Sequence, residues 1–114
     1  YKDGWQMRDF VYVKDVVSVL FYLMKHQPES SIYNLGSGIA RSFYDLASST
    51  FVAMGKETNI EYIDIPEDIR DKYQYYTEAN MNKLISVGYN LPFYSLEEGV
   101  KDYVQNYLMK QTYL

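Results

Sequence analysis

The apolar residues of this chain change period along its length, and that change sets the fold class. Arg8-Asp9-Phe10-Val11-Tyr12-Val13 is dense in β-branched and aromatic residues and predicts a strand. From Asp15, a candidate cap, the spacing turns helical. Val17, Leu20, Phe21 and Met24 form one apolar face, and Pro28 lies past its end. Ser31-Ile32-Tyr33-Asn34-Leu35 predicts a second short strand, closed by Gly36-Ser37-Gly38. Ser42 and Asp45 make an acidic capping box. Phe43, Leu46, Ala47, Thr50, Phe51 and Met54 carry that helix to Gly55, a C′ residue. Residues 59–65 predict a third strand, stopped by Pro66, whose broken alternation fits burial on both faces. Residues 66–76 read as a charged, Tyr-dense loop with a short helical turn. Thr77 is placed to cap a helix with Met81, Leu84 and Ile85 inward and Gly88 at its end. Ser95 and Glu98 form a second capping box, and Val100, Tyr103, Val104, Tyr107 and Leu108 the buried stripe of the last helix. The order β-α-β-α-β-loop-α-α predicts an α/β chain with few parallel strands and helices packed on them.

Composition narrows the function classes. The chain has 114 residues, 47% of them hydrophobic, which fits one domain or a piece of a larger one and argues against disorder. It opens on Tyr1 and reads as a fragment of soluble, cytoplasmic type, with no signal peptide at its start. No apolar run approaches the roughly 20 residues of a membrane span. With no Cys, disulfides, thiolate metal sites and Cys nucleophiles are excluded. A net charge of −4 opposes a nucleic-acid partner, which needs a basic stripe.

Few residues offer chemistry. Gly36-Ser37-Gly38 follows a predicted strand and precedes a helix, as a dinucleotide fingerprint does. The third glycine position is Arg41, whose side chain would obstruct helix–strand packing, so the segment reads as a structural turn. His26, the lone histidine, falls at a helix end where a cation complements the dipole. Without Cys or a second His it makes no zinc site, and no nucleophile elbow accompanies it. Asp64, Glu67, Asp68 and Asp71 are interleaved with Arg70 and Lys72 and read as a solvated loop. Tyr103 and Tyr107, one turn apart, read as core. Two residues stand out. Arg8 is a planar five-donor fork suited to a diphosphate or carboxylate, or to a surface ion pair. Tyr73 can give its hydroxyl to a phosphate or sugar, or simply pack its loop. No general base, nucleophile or cofactor cradle is evident, so these two bind and position rather than react. A freestanding Tyr-rich binding module that stacks on its ligand is the rival reading from another class, since Tyr makes up 14 of the 20 aromatic residues.

Arg8-Asp9-Phe10-Val11-Tyr12-Val13-Lys14-Asp15-Val16 resembles a segment of the extended short-chain dehydrogenase/reductase enzymes that act on nucleotide sugars. Ile32-Tyr33-Asn34-Leu35-Gly36-Ser37-Gly38 is similar to their later strand and turn. Gly38-Ile39-Ala40-Arg41-Ser42-Phe43, Ile60-Glu61-Tyr62-Ile63, Lys72-Tyr73-Gln74-Tyr75-Tyr76-Thr77 and Gly88-Tyr89-Asn90-Leu91-Pro92-Phe93 with Glu98-Gly99-Val100 resemble, in that order, the branch that epimerises ADP-activated heptoses. Another epimerase or dehydratase of the family is the alternative.

The resemblance implies the C-terminal substrate-binding region of such an enzyme, residues 1–114 as one region, with the Rossmann core missing. It implies an ADP-heptose substrate, NADP bound mainly outside this chain, hydride exchange at C6, and a homo-oligomer, with a homopentamer the family pattern. Arg8 matches a family residue on the nucleotide sugar, and Tyr73 a substrate-binding tyrosine. The family's glycine-rich loop and Tyr-x-x-x-Lys pair are absent from this chain, so it carries no catalytic residue of its own. Residues 14–38 match a stretch of the family's dinucleotide-domain sheet. Alone, such an unpaired apolar edge recruits another chain, so self-association or local disorder is expected there.

Overall fold

The computed structural model describes residues 4–112. Its element order is β1 (Met7–Arg8), α1 (Val13–His26), β2 (Arg41–Ser42), α2 (Phe43–Ala53), α3 (Glu67–Arg70), α4 (Asn82–Ser86) and α5 (Leu96–Tyr103). A π-helical turn over Val104–Leu108 continues α5.

Local chemistry explains where the best-defined helices begin. Ser42 accepts from the Asp45 amide at 3.0 Å while the Asp45 carboxylate accepts from the Ser42 amide at 3.3 Å. Ser95 and Glu98 repeat the exchange at 3.1 and 3.2 Å. Both predicted capping boxes therefore satisfy amides that a helix start leaves orphaned. Gly55 and Gly88 close α2 and α4 at φ 71° and 98°, the left-handed conformation that favours glycine. The short turn expected in the charged loop is α3, and Asp64, Glu67, Asp68 and Asp71 are all exposed.

The sheet departs from the sequence reading. β1 and β2 pair antiparallel, Met7 opposite Ser42 and Arg8 opposite Arg41. The parallel component is one bridge, Met7 to Tyr76. Of the predicted strand at 8–13, only its first residue lies in β1, and α1 starts at Val13. Residues 31–35 and 59–65 form no strand. β-rich composition makes an extended segment suitable for a ladder, but the ladder needs a second backbone in register. Among the described residues neither segment has a ladder partner.

The molecule is a slab of 46 × 39 × 19 Å. Such a thin body has little interior, and only Val19, Ala40, Ala53, Leu84, Tyr89 and Val104 are buried apolar residues among those described. Val19, Leu84 and Tyr89 form one cluster joining α1 to α4, with Tyr22, Leu23, Leu35 and Phe93 packed around it. α2 and α5 pack together on the other side. There Gln105 donates to the Ala53 carbonyl at 3.0 Å.

Three predicted inward faces are turned differently. Val17, Leu20, Phe21 and Met24 are 43–70% exposed, and the buried positions of α1 are Asp15 and Val19. The heptad-like spacing of these residues is real, but α1 presents that stripe away from α4. Ile85 is exposed while its neighbour Leu84 is fully buried, because α4 is a single short turn and only one side of it meets α1. On the last helix Val104 is buried, but Tyr103 and Leu108 are exposed. Gly99 takes the contact instead, since a Cβ there would lie 2.6 Å from the Tyr12 ring. Thr77 does not begin a helix. Its amide is bound to the Met7 carbonyl at 3.2 Å, and α4 starts at Asn82. Asp15 lies inside the first turn of α1, where Tyr12 holds the cap position.

Candidate functional site

β1 is held on both edges. Besides its β2 pairing, the Met7 amide donates to the Tyr75 carbonyl at 2.7 Å and the Met7 carbonyl accepts from Thr77. This places the Tyr-dense segment 73–76 beside Arg8, although 65 residues separate Arg8 from Tyr73 along the chain. The Arg8 guanidinium carbon lies 5.1 Å from the Tyr73 ring centroid and 5.8 Å from that of Phe43. Tyr75 meets the Tyr73 ring edge-on at 5.4 Å. The two residues selected from the sequence thus meet, and Phe43, which the sequence reading assigned to helix packing, completes their surroundings. No sequence signal pointed to Phe43 as part of a site. Its proximity comes from the β1–β2 pairing.

Arg8 donates to the neighbouring Met7 carbonyl at 2.8 Å, and among the described residues no carboxylate pairs with it. Directly opposite on the ribbon stands a second guanidinium, Arg41. Like charges placed opposite each other oppose pairing. Arg41 is neutralised by Glu97, at 3.0 Å for one bond of a two-bond fork, and by Asp45 at 3.3 Å. The Glu97 bond in particular pushes the Arg41 pKa up and the Glu97 pKa down. Among the described residues Arg8 has no such compensation. Half-buried between two rings, it is a fixed cation with donors left for an anion.

The adjacent residue behaves in the opposite way. Asp9 Oδ1 accepts from the Ser37 amide at 2.7 Å and the Ser37 hydroxyl at 2.6 Å. Its Oδ2 accepts from the amides of Gly38 at 2.9 Å and Ala79 at 3.0 Å. Burial alone would raise the Asp9 pKa, but the Ser37, Ala79 and Gly38 hydrogen bonds together outweigh it and hold the carboxyl below its ordinary value. The sequence reading gave Asp9 no role of its own, because its four donors come from two distant segments.

This arrangement also settles the Gly36-Ser37-Gly38 turn. The Gly36 amide faces Met81 Sδ at 3.3 Å, and the next two amides are taken by Asp9. The anion cradled by this turn is the protein's own carboxylate, as the failed fingerprint predicts. The described residues therefore do not fit a dinucleotide pyrophosphate there. No cluster of His, Asp and Glu able to hold a metal ion occurs among the described residues. His26 ends α1, stacked on Tyr22 at 4.1 Å with Nδ1 3.1 Å from the Tyr22 carbonyl oxygen.

An apolar cleft of about 490 Å³ lies between residues 10–13 and α5, its wall including Phe10, Tyr12, Leu46, Tyr94, Val100 and Tyr103. One of its polar groups is already engaged. The Tyr12 hydroxyl donates to Asp102 at 2.6 Å, and Lys14 reaches the same oxygen at 2.7 Å. Hydrogen bonds from Lys14, Tyr12 and Asn106 lower the Asp102 pKa to about 2. Neither Arg8 nor Tyr73 lines this cleft. No helix among the described residues is long and apolar enough to cross a membrane.

The model of the NAD dependent epimerase/dehydratase family matches residues 1–36 of the chain. Solved structures agree in fold. A UDP-N-acetylglucosamine 4-epimerase from Methanobrevibacter ruminantium superposes with a TM-score of 0.78 at 18% identity, over 98% of this chain and 34% of that one. A dTDP-glucose 4,6-dehydratase from Bacillus anthracis, in complex with NAD, gives 0.76 at 22% identity, over 97% and 34%.

The particular relatives are ADP-L-glycero-D-manno-heptose-6-epimerases. The chain is 50% identical to that of Fusobacterium nucleatum over 97% of its own length and 35% of the relative's. It is 49% identical to that of Nitratidesulfovibrio vulgaris (strain DP4) over 95% of its own length and 33% of the relative's. It therefore spans about a third of the length of the curated relatives it matches.

Proposed function

We propose that this chain is the substrate-holding part of a nucleotide-sugar epimerase, and that the protein it represents interconverts ADP-D-glycero- and ADP-L-glycero-D-manno-heptose. The carrying observation is the Arg8 guanidinium, set 5.1 Å from the Tyr73 ring with no carboxylate on it among the described residues. In this reading Arg8 takes the diphosphate through its fork of donors, and Tyr73 takes a phosphate or sugar oxygen through its hydroxyl. The identity of about 50% to heptose epimerases, against 22% or less to the dehydratase and 4-epimerase structures, favours the heptose substrate.

The names of the family and of one structural neighbour support a nicotinamide cofactor. We assign NADP, held mainly by residues outside this chain, with the hydride steps at C6 and the acid–base groups located there too. This chain's residues bind and orient. Alone it is inactive. Residues 14–38 belong in this reading with the dinucleotide-binding domain of the longer protein, which is a cytoplasmic homo-oligomer.

Arg8→Ala in the full-length epimerase tests the proposal. The expected result is a raised KM and a lower kcat, with kcat/KM down by about tenfold to a hundredfold, because a mispositioned diphosphate loses both binding and alignment. Unchanged kinetics would remove Arg8 from the site. Tighter binding of UDP-glucose than of ADP-heptose would replace the substrate.

A further inference from the structure

Arg8 and Arg41 stand opposite each other on the β1–β2 ribbon and are held in two different ways. Arg41 is fixed by the carboxylates of Glu97 and Asp45, which occupy its donors and offset its charge. Among the described residues no carboxylate holds Arg8. Apart from one bond to the Met7 carbonyl, it rests against rings, with its guanidinium carbon 5.1 Å from the Tyr73 centroid and 5.8 Å from that of Phe43. A ring face attracts a guanidinium but has no lone pair for its N–H groups, which lie in the guanidinium plane. It therefore limits the rotamers of a long side chain without occupying the donors that an anion needs.

Phe43 is itself set from several directions. It is the first residue of α2, directly after Ser42, which is buried and caps that helix. Its amide donates to the Gln6 carbonyl at 3.0 Å, two residues before Arg8. Its ring meets Phe10 edge-on, with centroids 5.4 Å apart and planes 82° apart. One ring thus joins Arg8 to Phe10, on either side of Asp9, whose carboxylate is bound elsewhere by Ser37, Gly38 and Ala79. Phe43 has no polar side-chain atom, so its part in the reaction passes through Arg8.

We infer that Phe43 is a positioning residue, which holds the Arg8 guanidinium in the orientation that receives the anionic group of the substrate. This rests on the substrate role proposed for Arg8 and adds the residue that orients it.

Kinetics of the full-length epimerase test this. Phe43→Leu keeps an apolar side chain but removes the ring. It is expected to raise KM and lower kcat, with kcat/KM down by about fivefold to tenfold. Phe43→Tyr should restore most of that loss. In an Arg8→Ala background Phe43→Leu should cause no further loss, because the ring then has no guanidinium to orient. A trifluorinated phenylalanine at position 43 is a second variant that keeps the ring's shape and withdraws its electrons. With it kcat/KM should fall by about threefold at an unchanged thermal midpoint. Suppose Arg8→Ala impairs the enzyme, but Phe43→Leu and the fluorinated ring leave kinetics unaltered, or Phe43→Leu costs as much in the Arg8→Ala background as alone. Phe43 is then only a packing residue, and the substrate reading of Arg8 stands. If Arg8→Ala leaves the kinetics unchanged, both are overturned.

Discussion

Arg8 and Asp9 are neighbours in sequence and opposite in use. Asp9 accepts four hydrogen bonds from Ser37, Gly38 and Ala79, so its charge is consumed in joining three segments of the chain. Among the described residues Arg8 meets a neighbouring carbonyl and two aromatic rings but no carboxylate. One backbone step divides a residue that builds the scaffold from one that the scaffold presents. A conspicuous charged residue is thus read by asking how many of its bonds the protein already supplies.

Asp9→Ala gives the largest expected effect. Its loss orphans three amides and a hydroxyl, and should cost about 2–4 kcal/mol of stability in urea unfolding. Arg8→Ala in the same experiment should change stability by less than about 1 kcal/mol. Equal losses for the two variants would erase the distinction between them.

Gly36→Ala should follow, at about 1–3 kcal/mol. Its Cβ would come 2.5 Å from Asp9 Oδ2 and 2.6 Å from Ala79 Cβ, so the carboxylate must leave its donors or the turn must move. A thermal scan with an unchanged midpoint would show the knot to be looser than described.

Acid titration probes the same group with a smaller effect. The Asp9 pKa lies below its unfolded value of about 3.9, so its stabilisation is fully present above that value and is lost as pH falls through the folded pKa. Asp15 has the opposite sign. Burial raises its pKa, an effect the Tyr94 amide bond opposes and the nearby Glu98 charge reinforces, so its ionisation weakens the fold as pH rises. Asp9→Asn should flatten the acid limb of a stability–pH curve and Asp15→Asn should not. The reverse pattern would reassign the acid sensitivity.

α1 draws a similar contrast between two faces. One face supplies Val19 to the core, whereas the other exposes Val17, Leu20, Phe21 and Met24. Such a stripe on an isolated chain favours association. The 114-residue chain is expected to self-associate in sedimentation at high concentration, and Phe21→Glu to return it to monomer. A monomer at every concentration would leave the stripe without that role.

The capping boxes, the ends of α2 and α4, the solvated acidic loop and the structural nature of the Gly36-Ser37-Gly38 turn were all legible in the sequence. Each depends on groups within a few residues of one another, so local composition suffices to specify it. Arg8 and Tyr73 were legible as chemistry but not as a pair. Whether segments 31–35 and 59–65 become strands, which face of α1 is buried, and where the charge of Asp9 goes were decided only by tertiary structure. Strand pairing, burial and charge compensation are properties of two surfaces in contact, and periodicity along one segment does not specify its partner.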